Sequence, residues 1–252
     1  MTTIDWSALD AVLFDLDGVL TPTASIHERA WKDMFDSFLA EVAGGQPWEP
    51  FSESDYLRYV DGKPRFDGVR SFVESRSIPL PEGTHDDPPG FGSIGALGNM
   101  KNDTFQRVLR SEGIRPYPGS VRVLDALEAR GTAMAVVSSS KNAPEVLDAS
   151  GLAPRFTVVV DGSVAARLGL AGKPAPDTFL EAARELGVPA GRAVVAEDAI
   201  SGVAAGKAGA FGLVIGVDRG AGHEALLANG AEVVVDDLAE LLDTGLVAGG
   251  AP

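Results

Sequence analysis

The stretch Ala11-Val12-Leu13-Phe14-Asp15-Leu16-Asp17-Gly18-Val19-Leu20-Thr21 decides the fold. Four apolar residues run straight into acids and a glycine. That pattern reads as a buried strand ending in a tight turn. Gly18 lets the chain turn away without a Cβ clash, and the strand end presents Asp15 while Leu16 faces the core. Similar apolar runs recur at residues 133–137, 157–160, 193–196, 211–215 and 232–235. Helical stretches separate most of them, at 120–130, 144–150, 176–186 and 201–208. Strands alternating with helices predict an α/β fold, with a mostly parallel sheet covered on both faces. Ligands in such folds bind beyond the carboxyl ends of the strands, so polar clusters directly after apolar runs are the candidate sites.

One segment breaks the alternation. From about residue 23 to 115 the pattern is helical or irregular, with helices predicted over 27–43, 67–75 and 102–112 and an exposed loop over 79–98, rich in Pro, Gly and Asp. A helical domain over 23–115 is therefore predicted as an insertion into a core made of 1–22 and 116–252.

Composition bounds the function. The 252 residues are 45% hydrophobic and 23% charged, with a net charge of −15 and no cysteine. Disulfides, thiolate metal sites and cysteine nucleophiles are excluded. Nucleic-acid binding through a general basic surface is not expected, because phosphate contacts need Lys/Arg clusters. No apolar run reaches the ~18 residues of a membrane helix. The first ten residues do not read as a signal peptide, which fits a cytoplasmic location; a monomer with no membrane partner is expected. An anionic substrate would have to be held by a few local cations or a metal.

Four strand ends supply such groups. Asp15 and Asp17 could act as nucleophile and acid/base, or as paired metal ligands; they could also be a plain acidic turn. Ser138-Ser139-Ser140-Lys141-Asn142 offers hydroxyls and N–H groups to an anion, or a helix cap. Lys173, presented by a loop that two prolines stiffen in Gly172-Lys173-Pro174-Ala175-Pro176, is a point charge suited to phosphate, or a solvated lysine in a turn. Glu197-Asp198 suits a hard cation, or a helix dipole. A parallel sheet would gather all four at one edge, where carboxylates, a divalent cation and a lysine are what phosphoryl transfer needs.

That ordered set resembles the haloacid dehalogenase superfamily. Its four motifs are matched by Asp15 to Thr21, Ser138, Lys173 and Glu197-Asp198. The resemblance implies a Rossmann-like core with an inserted helical cap, an aspartyl-phosphate at Asp15 and acid/base catalysis by Asp17. It also implies Mg²⁺ on Asp15, the Asp17 carbonyl and Asp198, with Glu197 alongside, Ser138 on the transferring phosphoryl group and Lys173 stabilising its charge. A closer likeness is to the β-phosphoglucomutase subfamily. Asp15 to Thr21 followed by His27 and Arg29-Ala30-Trp31-Lys32 is similar to its opening, and Ser138 to Asn142 is similar as well. Gly62-Lys63-Pro64-Arg65 resembles the cap loop whose arginine grips the distal phosphate. Lys101-Asn102-Asp103 resembles the cap segment whose lysine meets the substrate. Pro22 departs from the aspartate usual in that subfamily, and the 79–98 loop is longer than its pattern.

The implied substrate is a small phosphorylated metabolite, a hexose phosphate. The implied reaction is conversion of β-glucose 1-phosphate to glucose 6-phosphate, with a sugar-phosphate phosphatase as the alternative on the same scaffold. A non-catalytic acidic module would not need both Asp15 and Asp17. Gly90 to Gly95 fits a dinucleotide-binding pattern but follows Asp86-Asp87-Pro88-Pro89 rather than a strand, so it is discounted. His85 and His223 lack partners at metal-ligand spacing.

Overall fold

The computed structural model describes residues 4–60, 63 and 65–246. By Cα proximity the chain divides into two units, Met1–Thr23 with Ile114–Pro252, and Ala24–Gly113. Thr23, Ile114 and Arg115, which the helical pattern groups with the insertion, cluster with the first unit. Thr23 Oγ1 donates to the Asp17 carboxylate, and Tyr117 N–H bonds the Leu20 carbonyl at 3.0 Å.

The first unit is built on six parallel strands: β1 (Ala11–Phe14), β2 (Ala133–Val137), β3 (Val158–Val160), β4 (Ala193–Glu197), β5 (Leu213–Val217) and β6 (Val233–Val235). Their order is β3-β2-β1-β4-β5-β6, with β1 in the middle. β5 starts two residues later than its apolar run. Gly212 N–H is spent on the Ala190 and Ala193 carbonyls, and Gly216, just past the run, pairs with Glu197. Side chains alternate between faces. On one face Ala11, Leu13, Ala135 and Val137 pack with Phe179, Ala182 and Ala183 of α8 (Asp177–Leu186), Val203 and Ala205 of α9 (Ile200–Ala208), and Leu226 of α10 (His223–Asn229). The alternate residue Phe14 meets Phe156 edge-on at 6.3 Å. Helices α5 (Pro118–Arg130), α6 (Ala143–Ser150) and α7 (Gly162–Leu168) complete this unit. α7 and α10 are seven residues each, too short for a periodic signal. α7 is nucleated by Asp161, whose carboxylate caps Ser163 and Val164 N–H at 3.0 and 2.7 Å.

The second unit contains α1 (Ala24–Ala43), a short turn of helix α2 (Glu53–Asp55) continued as a π-helix over Tyr56–Val60, α3 (Arg65–Ser75) and α4 (Ile94–Glu112). Its core is aromatic: Trp31, Phe35, Phe38, Phe51 and Phe72 are all buried, and truncating one such ring costs about 3–5 kcal/mol. α4 begins eight residues before the sequence pattern suggests, so 94–98 is buried helix rather than exposed loop. Ser93 caps it by accepting from Ala96 N–H at 3.0 Å. Gly95 and Gly98 hide the signal because they dilute helix propensity. Both are close-packing positions: an added Cβ would lie 2.0 Å from the Thr84 carbonyl oxygen and 2.6 Å from the Phe66 ring. Gly90 to Gly95 is loop and helix start, preceded by no strand.

Candidate active site

Strand register brings the site together. Phe14 of β1 pairs with Val136 of β2 and Ala196 of β4. The next residues on the three strands, Asp15, Val137 and Glu197, therefore stand level at the carboxyl edge. Asp15 N–H continues the ladder to the Ala196 carbonyl at 2.9 Å, and Ser138 N–H bonds Val160 at 3.0 Å.

Lys173 enters this edge from the loop before α8. Its ammonium donates to the Asp15 carboxylate, to Glu197 Oε1 at 2.7 Å and to the Val137 carbonyl at 3.1 Å. The side chains of Lys173, Asp15 and Glu197 are 7%, 10% and 2% exposed. The Phe179 ring lies 4.9 Å from Nζ. Burial alone would favour the neutral amine, but Asp15 and Glu197 outweigh it and hold Lys173 protonated, above its ordinary range. Burial raises the Asp15 carboxyl well above the ordinary carboxylate range. Lys173 opposes that rise, and Glu197, Asp17 and Asp198 add to it. Asp198 is pushed up to about 7, first by burial and then by Glu197.

The turn after β1 is tightly specified. Gly18 has φ +81° and its N–H bonds the Thr21 carbonyl at 2.9 Å. A Cβ at Gly18 would lie 1.8 Å from Asp198 Oδ2, so only glycine leaves space for that carboxylate against the Asp17–Gly18 backbone. Glu197, grouped with the metal ligands in the sequence pattern, has both oxygens engaged: Oε1 by Lys173 and Oε2 by Ala199 N–H at 2.7 Å. In this arrangement it holds the lysine.

Asp15 and Glu197 thus share one lysine, and the Asp17 and Asp198 carboxylates add negative charge beside them. The donor set is all oxygen and carries surplus negative charge, so a hard divalent cation fits. The residues that could hold it are Asp15, Asp198 and the Asp17 backbone.

The serine run closes on itself. Ser138, buried, accepts Ser140 N–H at 3.1 Å, and Ser140 accepts Asn142 N–H at 3.1 Å. Ser139 and Lys141 are exposed, and Asn142 stands at the N-cap of α6. In the second unit, Lys101 is buried with Nζ 2.6 Å from His27 Nδ1 and 5.1 Å from the Trp31 ring. An ammonium has no acceptor, so Nδ1 must accept and the ring proton resides on Nε2. Burial, then the Lys101 charge, holds His27 well below its usual pKa. Arg65 starts α3 with its guanidinium 4.9 Å from the Phe66 ring. Gly62 lies outside the described residues.

Sequence reading missed Thr23, Phe179 and Gly202. An added Cβ at Gly202 would lie 1.8 Å from Glu197 Oε1, and nothing in the chain's periodicity marks that approach. Folding also gives His223 partners that spacing did not. Its Nε2 is 2.7 Å from Asp236 Oδ1, and the candidate ligand atoms of Asp218, His223 and Asp236 lie within 4.8 Å of one another. The Asp236 hydrogen bond raises the His223 pKa, as in an exposed ion pair.

A family model described as haloacid dehalogenase-like hydrolase matches residues 9–209, from just before β1 to the end of α9. The chain belongs to the haloacid dehalogenase family. A Mycobacterium bovis member named β-phosphoglucomutase is 52% identical over 238 residues, covering 92% of this chain and 91% of that one. The Bacillus subtilis β-phosphoglucomutase is 32% identical over 237 residues, covering 92% of each. Among solved structures, Rhodobacter sphaeroides CbbY in complex with xylulose-(1,5)-bisphosphate is similar with a TM-score of 0.69 at 25% identity, covering 92% of this chain and 96% of that one. As a haloacid dehalogenase-family member with these relatives, the protein is an enzyme of the family's phosphotransferase type. No described helix is long and apolar enough to cross a membrane.

Proposed function

We propose that this enzyme is a Mg²⁺-dependent β-phosphoglucomutase working through an aspartyl-phosphate at Asp15. The observation that carries the chemistry is the Lys173 ammonium shared between Asp15 and Glu197 at the carboxyl edge of the sheet. The choice of substrate rests on the relatives named β-phosphoglucomutase.

In this reading an Asp15 carboxylate oxygen attacks phosphorus, and the bond from phosphorus to the leaving sugar oxygen breaks. Asp17, oriented by the Thr23 hydroxyl, gives that oxygen a proton and takes one from the hydroxyl that later receives the phosphoryl group. Lys173 offsets charge on the phosphoryl oxygens, and Ser138 to Asn142 supply donors to them. When bound, Mg²⁺ would screen the attacking carboxylate from the anionic phosphoryl group. Arg65, Lys101, His27 and Gly62 belong to the sugar side of the reaction. A second phosphate on the sugar needs its own site while the first reacts, and the planar guanidinium of Arg65 suits it.

Product analysis tests this. With β-glucose 1-phosphate and a catalytic amount of glucose 1,6-bisphosphate, glucose 6-phosphate should form faster than inorganic phosphate. Rapid phosphate release with no glucose 6-phosphate would make the enzyme a sugar-phosphate phosphatase instead.

A further inference from the structure

The turn that carries the nucleophile is held at three successive carbonyls. Ser120 Oγ donates to the Val19 carbonyl at 2.7 Å, and Tyr117 N–H donates to Leu20 at 3.0 Å. Both come from the start of α5. Arg219 Nε donates to the Gly18 carbonyl at 2.8 Å, from the loop after β5 and 201 residues along the chain.

A guanidinium is planar and can serve several acceptors in fixed directions. Here Nη1 donates to the Asp236 carbonyl at 2.9 Å, just past β6, and Cζ lies 3.9 Å from the centroid of the Tyr117 ring. The group is thus fixed by contacts to the β1 turn, the β6 end and the start of α5. Nη2 is buried and makes no hydrogen bond among the described residues. Such burial is unfavourable, so the position is maintained by what Nε, Nη1 and the guanidinium face contact. What Nε contacts is the most adaptable backbone in the turn. Gly18, at φ +81°, has the conformational freedom of a residue without Cβ, and it directly follows Asp17.

We propose that Arg219 is a positioning residue for phosphoryl transfer: it fixes the Gly18–Val19 peptide while the Thr21 carbonyl holds Gly18 N–H, so that Gly18 cannot swing and Asp17 keeps the direction in which it presents its carbonyl and carboxylate. The inference deepens the reading of Asp15 and Asp17 given above and rests on it.

The test compares wild type, Arg219→Ala and Arg219→Lys on p-nitrophenyl phosphate and on β-glucose 1-phosphate, with folding checked by circular dichroism. A misplacement near 1 Å at a reacting group costs about 10²-fold, so Arg219→Ala should lose roughly 10- to 100-fold in kcat. KM for both substrates should stay close to wild type. Low-millimolar guanidinium should restore much of the lost kcat, and the same concentration of sodium chloride should not. Arg219→Lys should be intermediate, because an ammonium can reach the Gly18 carbonyl but cannot hold all three contacts. A folded Arg219→Ala with wild-type kcat, or a kcat loss that guanidinium leaves untouched, overturns the proposal. Should the alanine variant not fold, Arg219→Lys decides: wild-type kcat in that folded variant overturns it equally. Asp15→Asn run alongside separates the failures, since activity surviving there would strike the reading of the site and not Arg219.

Discussion

Replacing Lys173 by methionine removes the only ammonium that faces both Asp15 and Glu197 among the described residues, while keeping most of the side-chain volume. The two carboxylates it leaves are at most one-tenth exposed. Breaking a buried ion pair by removing one partner costs about 3–5 kcal/mol, because the other charge stays buried and uncompensated. For a chain of this size each kcal/mol lowers Tm by about 2–4 °C, so a drop on the order of 10 °C is expected in metal-free buffer near pH 8. The size of the drop should depend on pH in a definite direction. Without Lys173 no described residue opposes the burial that already raises Asp15, so its folded pKa moves further above the unfolded value. A raised carboxyl contributes stability that is present below its unfolded pKa and lost as pH rises through the folded one. The gap between wild type and variant should therefore widen from acidic to mildly alkaline pH. Adding Glu197→Gln to the variant should recover part of the loss, since the two substitutions act on one charge cluster. Thermal unfolding followed by circular dichroism across this range reads all of it. A Tm difference of less than about 2 °C near pH 8, about what 1 kcal/mol produces, would refute the reasoning, as would a gap that grows on acidification.

Three further outcomes are expected. Gly18→Ala places a Cβ 1.8 Å from Asp198 Oδ2 at a φ of +81°; steady-state kinetics should show about 10²-fold lower kcat, the cost of a misplacement near 1 Å, and full activity would remove Asp198 from the site. Arg65→Ala should cut conversion of β-glucose 1-phosphate by about 10- to 100-fold, as loss of hydrogen bonds to a charged group implies, while sparing hydrolysis of p-nitrophenyl phosphate. An equal loss on both substrates would contradict a role confined to the sugar. Asp198, at about 7 rather than 3.8, should make the metal-free protein less stable as pH rises from about 4 to about 7, by at most about 4 kcal/mol. The same ionisation should tighten Mg²⁺ binding over that range, measured by calorimetry, and Asp198→Asn should flatten both trends.

How far the sequence spoke depended on the range of each interaction. β1, β2 and β4 are buried on both faces, so each is a continuous apolar run, and the polar residues beyond them stand out as Asp15, Ser138 and Glu197-Asp198. A family resemblance then ordered these into one chemistry. The start of α4 was hidden by Gly95 and Gly98, whose close packing against Thr84 and Phe66 is a tertiary fact. Which group balances which charge was also invisible. Lys173 finds Asp15 across 158 residues and Glu197 across 24, and neither separation has a period. Glu197 stands beside Asp198 in the sequence, and only folding shows that Lys173 and Ala199 N–H meet its two oxygens. Arg219 carried no local signal, since its meaning lies in a carbonyl near the other end of the chain.

A covalent phosphoryl group at Asp15 is the centre of the proposed reaction, and mapping that group is its most direct test. The enzyme is mixed with Mg²⁺ and radiolabelled glucose 1,6-bisphosphate, quenched in acid within a turnover and digested, and the labelled peptide is sequenced. The label should reside on the peptide containing Asp15 and be absent from Asp15→Asn, which keeps the shape of the side chain but is no longer a competent nucleophile. Label on any other residue, or glucose 6-phosphate formed by Asp15→Asn at the wild-type rate, would contradict it.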